Sequence, residues 1–241
     1  MSSNSTSNNR PIYRVAVLLF PNADILDYAG PIEALSHATW NRDRAAPEPI
    51  FEIHTTGRAT DVPIPTGDAA PLKIQPSILI EELLDTLPSY HILVVPGGPP
   101  AVVQKVADQA DGLELRVVRE FAELAPPQDG TGLERVLMSV CTGAFLLGKV
   151  GVLAGLTVTT HHMFLDVLDE VCNKDNTGKK TEVVGGRRFV DAGLARDGLR
   201  IVTAGGVSSG LDAALHVVEL VSDGDKADYC AKVMEYERRK V

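Results

Sequence analysis

The amino-acid sequence predicts an α/β fold: a mostly parallel sheet with helices on both faces and a cysteine at one strand-to-helix turn. Three observations carry this. Short, β-rich apolar runs alternate with helix-patterned segments along the chain, as they do when each strand is followed by a crossover helix. Most of those runs are continuously apolar rather than alternating, the mark of strands buried on both faces. The 241 residues, 44% of them hydrophobic, are enough for one sizeable core.

Residues 1–11 open with MSSNSTSNNR, which lacks the apolar stretch of a secretory signal, and are expected to be a disordered tail before a single domain at 12–241. Residues 13–20 (YRVAVLLF) form a first, central strand. In the next segment Pro31 suits the first turn of a helix, and Ile32, Leu35 and Ala38 recur at helical spacing. A second strand is expected at 51–57. The proline-rich stretch 58–88, with Pro63, Pro65, Pro71 and Pro76, reads as a small hairpin followed by one helix at 78–87. Residues 91–95 (HILVV) form a buried strand that runs into Pro96-Gly97-Gly98-Pro99-Pro100, and a helix at about 113–124 leads to a surface loop at 125–132. The strand at 136–140 ends on Cys141, and its helix ends near Gly151. Beyond it come a short strand at 157–161, a helix at 163–171, a polar loop at 174–180 and a strand at 182–192. The last core strand, 199–204, ends in Gly205-Gly206, before an apolar helix at 211–221 and a charged one at 226–239.

Composition removes several function classes. A net charge of -9 and a pI of about 5.1 leave no basic face for nucleic acid or for an anionic membrane surface. No run approaches the ~18 apolar residues of a membrane span. Three cysteines do not describe a disulfide framework, so a reducing, cytoplasmic setting is expected. Neither G-x-G-x-x-G nor G-x-x-x-x-G-K-[ST] occurs at the glycine pairs, so no nucleotide cradle is expected.

In open parallel sheets chemistry gathers beyond the carboxyl ends of the strands. Four loops there carry distinctive residues: Asp27, Gly97-Gly98, Cys141-Thr142-Gly143 and Gly205-Gly206. Free N–H groups and the helix dipole at the start of a helix favour an anion, so Cys141 is expected to have a thiol pKa lowered by roughly a unit or more. Strand, cysteine, turn and helix together make a nucleophile elbow with sulfur in place of oxygen. Thr142 offers a hydroxyl, and Gly143 permits close backbone approach. Gly97 and Gly98 can present N–H donors to a developing negative charge, while Asp27 can move protons. Each has an ordinary alternative: an apolar cysteine more often packs than reacts, and Asp before Gly-Pro commonly caps or turns. Cys172 and Cys230 lack such a context. His161 follows a strand and can reach the same face, but the His161-His162 pair has no third ligand at helpful spacing, so no metal site is expected.

The set Leu26-Asp27-Tyr28-Ala29-Gly30-Pro31, Val95-Pro96-Gly97-Gly98, Ser139-Val140-Cys141-Thr142-Gly143, Thr159-Thr160-His161 and Ala204-Gly205-Gly206 through Asp212 resembles the DJ-1/PfpI (ThiJ) superfamily over about residues 13–221. The resemblance implies a flavodoxin-like three-layer sandwich and a homodimer. L-D-x-x-G-P and V-C-T-G resemble the isocyanide (isonitrile) hydratase branch. That branch implies a cofactor-free enzyme with Cys141 as nucleophile, Asp27 as acid/base and Thr142 as a hydroxyl near the sulfur. Gly97, Gly98, Gly143, His161 and Gly206 would line the substrate site. A small electrophilic isocyanide would be hydrated to an N-substituted formamide through a thioimidate on Cys141. Thr142 stands where protease-like members carry His, and Asp27 where DJ-1-like and glyoxalase-like members carry Glu. His162 stands where the hydratase branch often has Trp. The alternatives are a glyoxalase- or deglycase-like enzyme acting on methylglyoxal, and a redox-responsive protein with an oxidisable Cys141. AraC-type regulators share the elbow, but these 241 residues hold no basic helix-turn-helix pattern after it, so a regulator is not expected.

Overall fold

The structure, a computed structural model, describes residues 10–59, 64–66, 72–174, 178–196 and 198–239. The chain runs β1 (Tyr13–Leu18), α1 (Ile25–Ser36), β2 (Phe51–Gly57), β3 (Ile64–Thr66), β4 (Leu72–Ile74), β5 (Ile78–Leu79), α2 (Ile80–Thr86), β6 (Ile92–Val95), α3 (Pro100–Ala107) and α4 (Leu113–Glu123). It continues with β7 (Arg135–Val140), α5 (Ala144–Lys149), β8 (Thr157–Val158), α6 (Leu165–Asn173), β9 (Glu182–Val183), β10 (Phe189–Arg196), β11 (Leu199–Ala204), α7 (Ser209–Val221) and α8 (Gly224–Val233).

The main sheet has the order β10-β11-β7-β6-β1-β2-β5. Every pairing is parallel except β10 with β11. Counting only β1, β2, β6, β7 and β11, the spatial order is 2-1-3-4-5, the doubly wound order in which the first and third strands diverge and open a crevice at their carboxyl ends. Helices α1, α7 and α8 pack together on one face, and α2 to α6 on the other. The result is the expected flavodoxin-like three-layer sandwich. It explains the continuous apolar runs: every residue of β6 and β7 is buried because helices cover both faces.

Four elements differ from the sequence reading. The sequence reading places no helix between the strand at 91–95 and the helix at about 113–124, yet Pro100 opens α3. Proline suits the first helical position because it lacks only an N–H that would be orphaned anyway. The strand expected at 182–192 divides into β9 and β10, and the expected strand at 157–161 is reduced to β8, which pairs with β9 outside the main sheet. The charged helix expected to reach residue 239 ends at Val233; Glu235 takes the left-handed conformation (φ 50°), which turns the chain back toward α7.

The hairpin expected within 58–76 appears as β3 paired with β4, though Pro63 and Pro71 lie outside the described residues. Residues 1–9 of the expected tail also lie outside them. Arg10 donates to the Trp40 carbonyl and Trp40 donates to the Pro11 carbonyl, each at 2.9 Å. The 125–132 loop sits at the amino ends of the strands, away from the crevice. Asp129 pairs with His91 at 2.5 Å, and the buried Arg135 donates to the Ala125 carbonyl at 2.9 Å. Among the described residues no helix is long and apolar enough to cross a membrane.

Candidate active site

β7 delivers Cys141 to the crevice. Residues 141–143 make one tight turn before α5, and Cys141 itself has φ 56°. For a non-glycine residue this left-handed conformation costs on the order of 1–2 kcal/mol, so its surroundings must hold it. The Cys141 N–H donates to the Gly205 carbonyl at 2.9 Å, and the Thr160 hydroxyl donates to the Cys141 carbonyl at 2.7 Å. Gly143 lets the turn pass over β6: a Cβ there would fall on the Val95 carbonyl oxygen.

Asp27 arrives from α1. Asp24 caps that helix by accepting the Leu26 N–H at 3.0 Å, and its own N–H donates to the Gly97 carbonyl at 2.9 Å. The cap thus ties the helix start to the loop after β6. Asp27 lies three residues further on and is fully buried. Its Oδ2 accepts the Gly97 N–H at 3.0 Å, whereas Oδ1 has no aligned hydrogen-bond partner. The Cys141 thiol lies beside this carboxyl, close enough to favour its charged form. The Thr142 and Val207 N–H groups lie at the sulfur and favour its charged form, as does the Thr142 hydroxyl. The two expected reacting groups therefore share one buried site.

Burial dominates the electrostatics of the pair. It pushes the Asp27 carboxyl up to about 8, Asp24 adds to the rise, and the Gly97 N–H and Cys141 oppose it. Burial and then the Asp27 charge push the Cys141 thiol up to about 12, against the donors from Thr142 and Val207. The lowered thiol pKa expected from a helix start is thereby corrected. Loss of water outweighs the N–H groups, and the carboxyl beside the sulfur disfavours a second negative charge. The Asp27 carboxyl thus loses its proton near 8, and its charge keeps the remaining proton on the Cys141 thiol.

Gly97 and Gly98 are beside the elbow, but not as free donors. The Gly97 N–H is occupied by Asp27, and the Gly98 N–H by the Thr142 hydroxyl at 3.0 Å. That hydroxyl donates back to the Gly98 carbonyl at 2.8 Å. It also lies beside the sulfur, as expected, and favours the charged form there. A Cβ on Gly97 would lie 2.5 Å from Thr142 Oγ1, so this glycine serves close approach. Thr142→Val keeps the shape and leaves both Gly98 groups unpaired. It is expected to cost about 2 kcal/mol, measured by urea denaturation.

His161 lies across the elbow from Asp27. Its Nδ1 accepts the Met163 N–H at 3.3 Å, and its ring stacks on His162 with centroids 4.5 Å apart. Burial, and then His162, lower its pKa. In the neutral ring Nε2 carries the proton, and this edge lies against Gly206, where a Cβ would meet Nε2 at 2.9 Å. Gly206 thus makes room for His161, and the next residue supplies the donor to sulfur. That donor, the Val207 N–H, is what the sequence reading missed along with the Thr160 hydroxyl and the Asp24 cap. A backbone N–H leaves no residue-type signal. The only hint is that two glycines precede it.

A strained cysteine elbow with a buried carboxyl from the first helix is the arrangement that the DJ-1/PfpI motifs imply. A model of the DJ-1/PfpI family matches residues 13–220. The chain belongs to the DJ-1/PfpI family. Isonitrile hydratase of Pseudomonas putida is 26% identical over 223 residues, covering 92% of this chain and 78% of that protein. An uncharacterised protein of Streptomyces lividans is 30% identical over 165 residues, covering 66% of this chain and 95% of that one. DJ-1beta of Drosophila melanogaster superposes with a TM-score of 0.68 at 17% identity, over 94% of this chain and all of that one. A THiJ/PfpI family protein from Pseudomonas syringae gives 0.69 at 21% identity, over the whole of this chain and 83% of that one. At those identities the two superpositions establish the fold of this DJ-1/PfpI member and nothing further.

Proposed function

We propose that this protein is a cofactor-free, cysteine-dependent hydratase that converts isocyanides to N-substituted formamides, working as a cytoplasmic homodimer of one domain at 12–241. The observation that carries the reading is the Asp27 carboxyl, buried beside the Cys141 thiol with one oxygen free of any aligned partner. The isonitrile hydratase relative supports the choice of substrate.

The chemistry follows from one shared proton. In the singly ionised pair, Asp27 draws the proton from Cys141 as sulfur attacks the terminal isocyanide carbon. The proton then passes from Asp27 to that carbon, giving the thioimidate R–N=CH–S. Water adds across the C=N bond, with its proton routed through Asp27 to nitrogen. Collapse of the adduct forms the formyl C=O and expels the Cys141 sulfur, which regains its hydrogen from the new hydroxyl through Asp27. The sum is R–NC + H2O → R–NH–CHO. Thr142 and Val207 N–H groups at the sulfur stabilise it as it gains charge on attack and again on departure.

Purified protein is expected to form the formamide from alkyl or aryl isocyanides, followed by chromatography. No product across a broad panel would sink the substrate assignment. Because the pair must have lost one proton, kcat/KM is expected to rise with pH through about 8. The redox-responsive alternative calls for an exposed, low-pKa thiol. Cys141 is buried with a raised pKa, which favours hydration over oxidation sensing.

A further inference from the structure

Asp212 takes no part in the chemistry above, yet it is a fully buried carboxylate on the first turn of α7. Its Oδ2 accepts from Arg188 Nε at 2.7 Å and from the Tyr236 hydroxyl at 2.9 Å. Its Oδ1 accepts the Arg239 N–H at 2.8 Å. Three segments far apart in sequence meet on one carboxylate: the lead into β10, the start of α7, and the chain that turns back after α8.

The same Arg188 grips the loop carrying the sulfur's second donor at two points. Its carbonyl accepts the Gly205 N–H at 2.8 Å. Its guanidinium donates to the Ser208 carbonyl at 2.5 Å and to the Ser208 hydroxyl at 3.1 Å. Val207 lies between these anchors in a left-handed conformation, φ 45°. A valine held there is strained and relaxes unless the loop is fixed from both sides.

We infer that Asp212 is a positioning residue for Cys141: with Tyr236 it locks the Arg188 fork, and that fork holds the Val207 N–H on the sulfur. The segment after α8 thereby reaches the nucleophile through one arginine without touching it. This rests on Cys141 being the working nucleophile, not on the identity of the substrate.

The test is the rate at which iodoacetamide alkylates Cys141, measured from pH 7 to 10 by peptide mass spectrometry. The full chain is compared with Asp212→Asn, Tyr236→Phe and Asp212→Glu. Losing the Val207 donor raises the thiol pKa. Alkylation is expected to fall about tenfold in Asp212→Asn and two- to threefold in Tyr236→Phe, by the same factor at each pH from 8 to 10. The partial charge-retaining replacement Asp212→Glu is expected to lie between Asp212→Asn and the parent. A wild-type profile in Asp212→Asn and Tyr236→Phe, with only a lower melting temperature, would overturn the inference and leave a structural ion pair. If Asp212→Asn does not fold, Tyr236→Phe decides, since it removes a single hydroxyl. The underlying reading fails separately, if Cys141→Ala retains the parent protein's turnover of an isocyanide.

Discussion

Cys141→Ala is expected to lower kcat/KM for an isocyanide by about 10⁴-fold or more, because no other group at the elbow can form the covalent intermediate. The fold should survive. Alanine meets much the same penalty at φ 56° as cysteine does, and the anchors from Gly205 and Thr160 are backbone contacts that the change leaves in place. Stability within about 1 kcal/mol of the parent is expected by urea denaturation. Residual turnover above about 1% would show that sulfur is not the nucleophile.

Asp27→Asn is expected to separate activity from stability in opposite directions. The amide oxygen can still accept the Gly97 N–H, but the side chain can no longer carry a proton between sulfur, carbon and water. A fall in kcat of about 10²- to 10⁴-fold is expected, with loss of the inflection near pH 8. For stability, the folded carboxyl holds its proton up to about 8 while the unfolded one releases it near 3.8. Below about 4 both states are protonated, so the parent protein has its full stability there. As pH rises the unfolded chain releases a proton that the folded one keeps, and stability is lost until the folded pKa is passed. The interval corresponds to at most about 6 kcal/mol. Asparagine does not titrate, so the variant should gain on the parent from pH 5 to pH 8.5. Parallel denaturation midpoints across that range would contradict a raised Asp27 pKa.

The parts of the site that were legible in the sequence are those that depend on residue type. A sulfur after an apolar strand, a carboxyl after another and glycines at two more strand ends are chemical signals, and the doubly wound order brings them to one edge. Gly97 and Gly98 show where such reading stops. Their importance was visible, but their role as donors was not correct, because Asp27 and Thr142 reach those N–H groups first. Thr142 does more than its residue type suggests: its hydroxyl lies at the sulfur and also closes a loop-to-loop contact with Gly98.

Continuous apolar runs separated by helical patterns determined the three-layer α/β class on their own, because a strand covered on both faces must be apolar along its whole length. Local identity also marked Cys141 and Asp27. Tertiary structure alone decided their protonation and partners. A helix start by itself favours a thiolate, but the packed helices and strands exclude water and set a carboxyl against the sulfur. Desolvation and charge proximity depend on what lies across the fold, and neither is written at any single position of the chain.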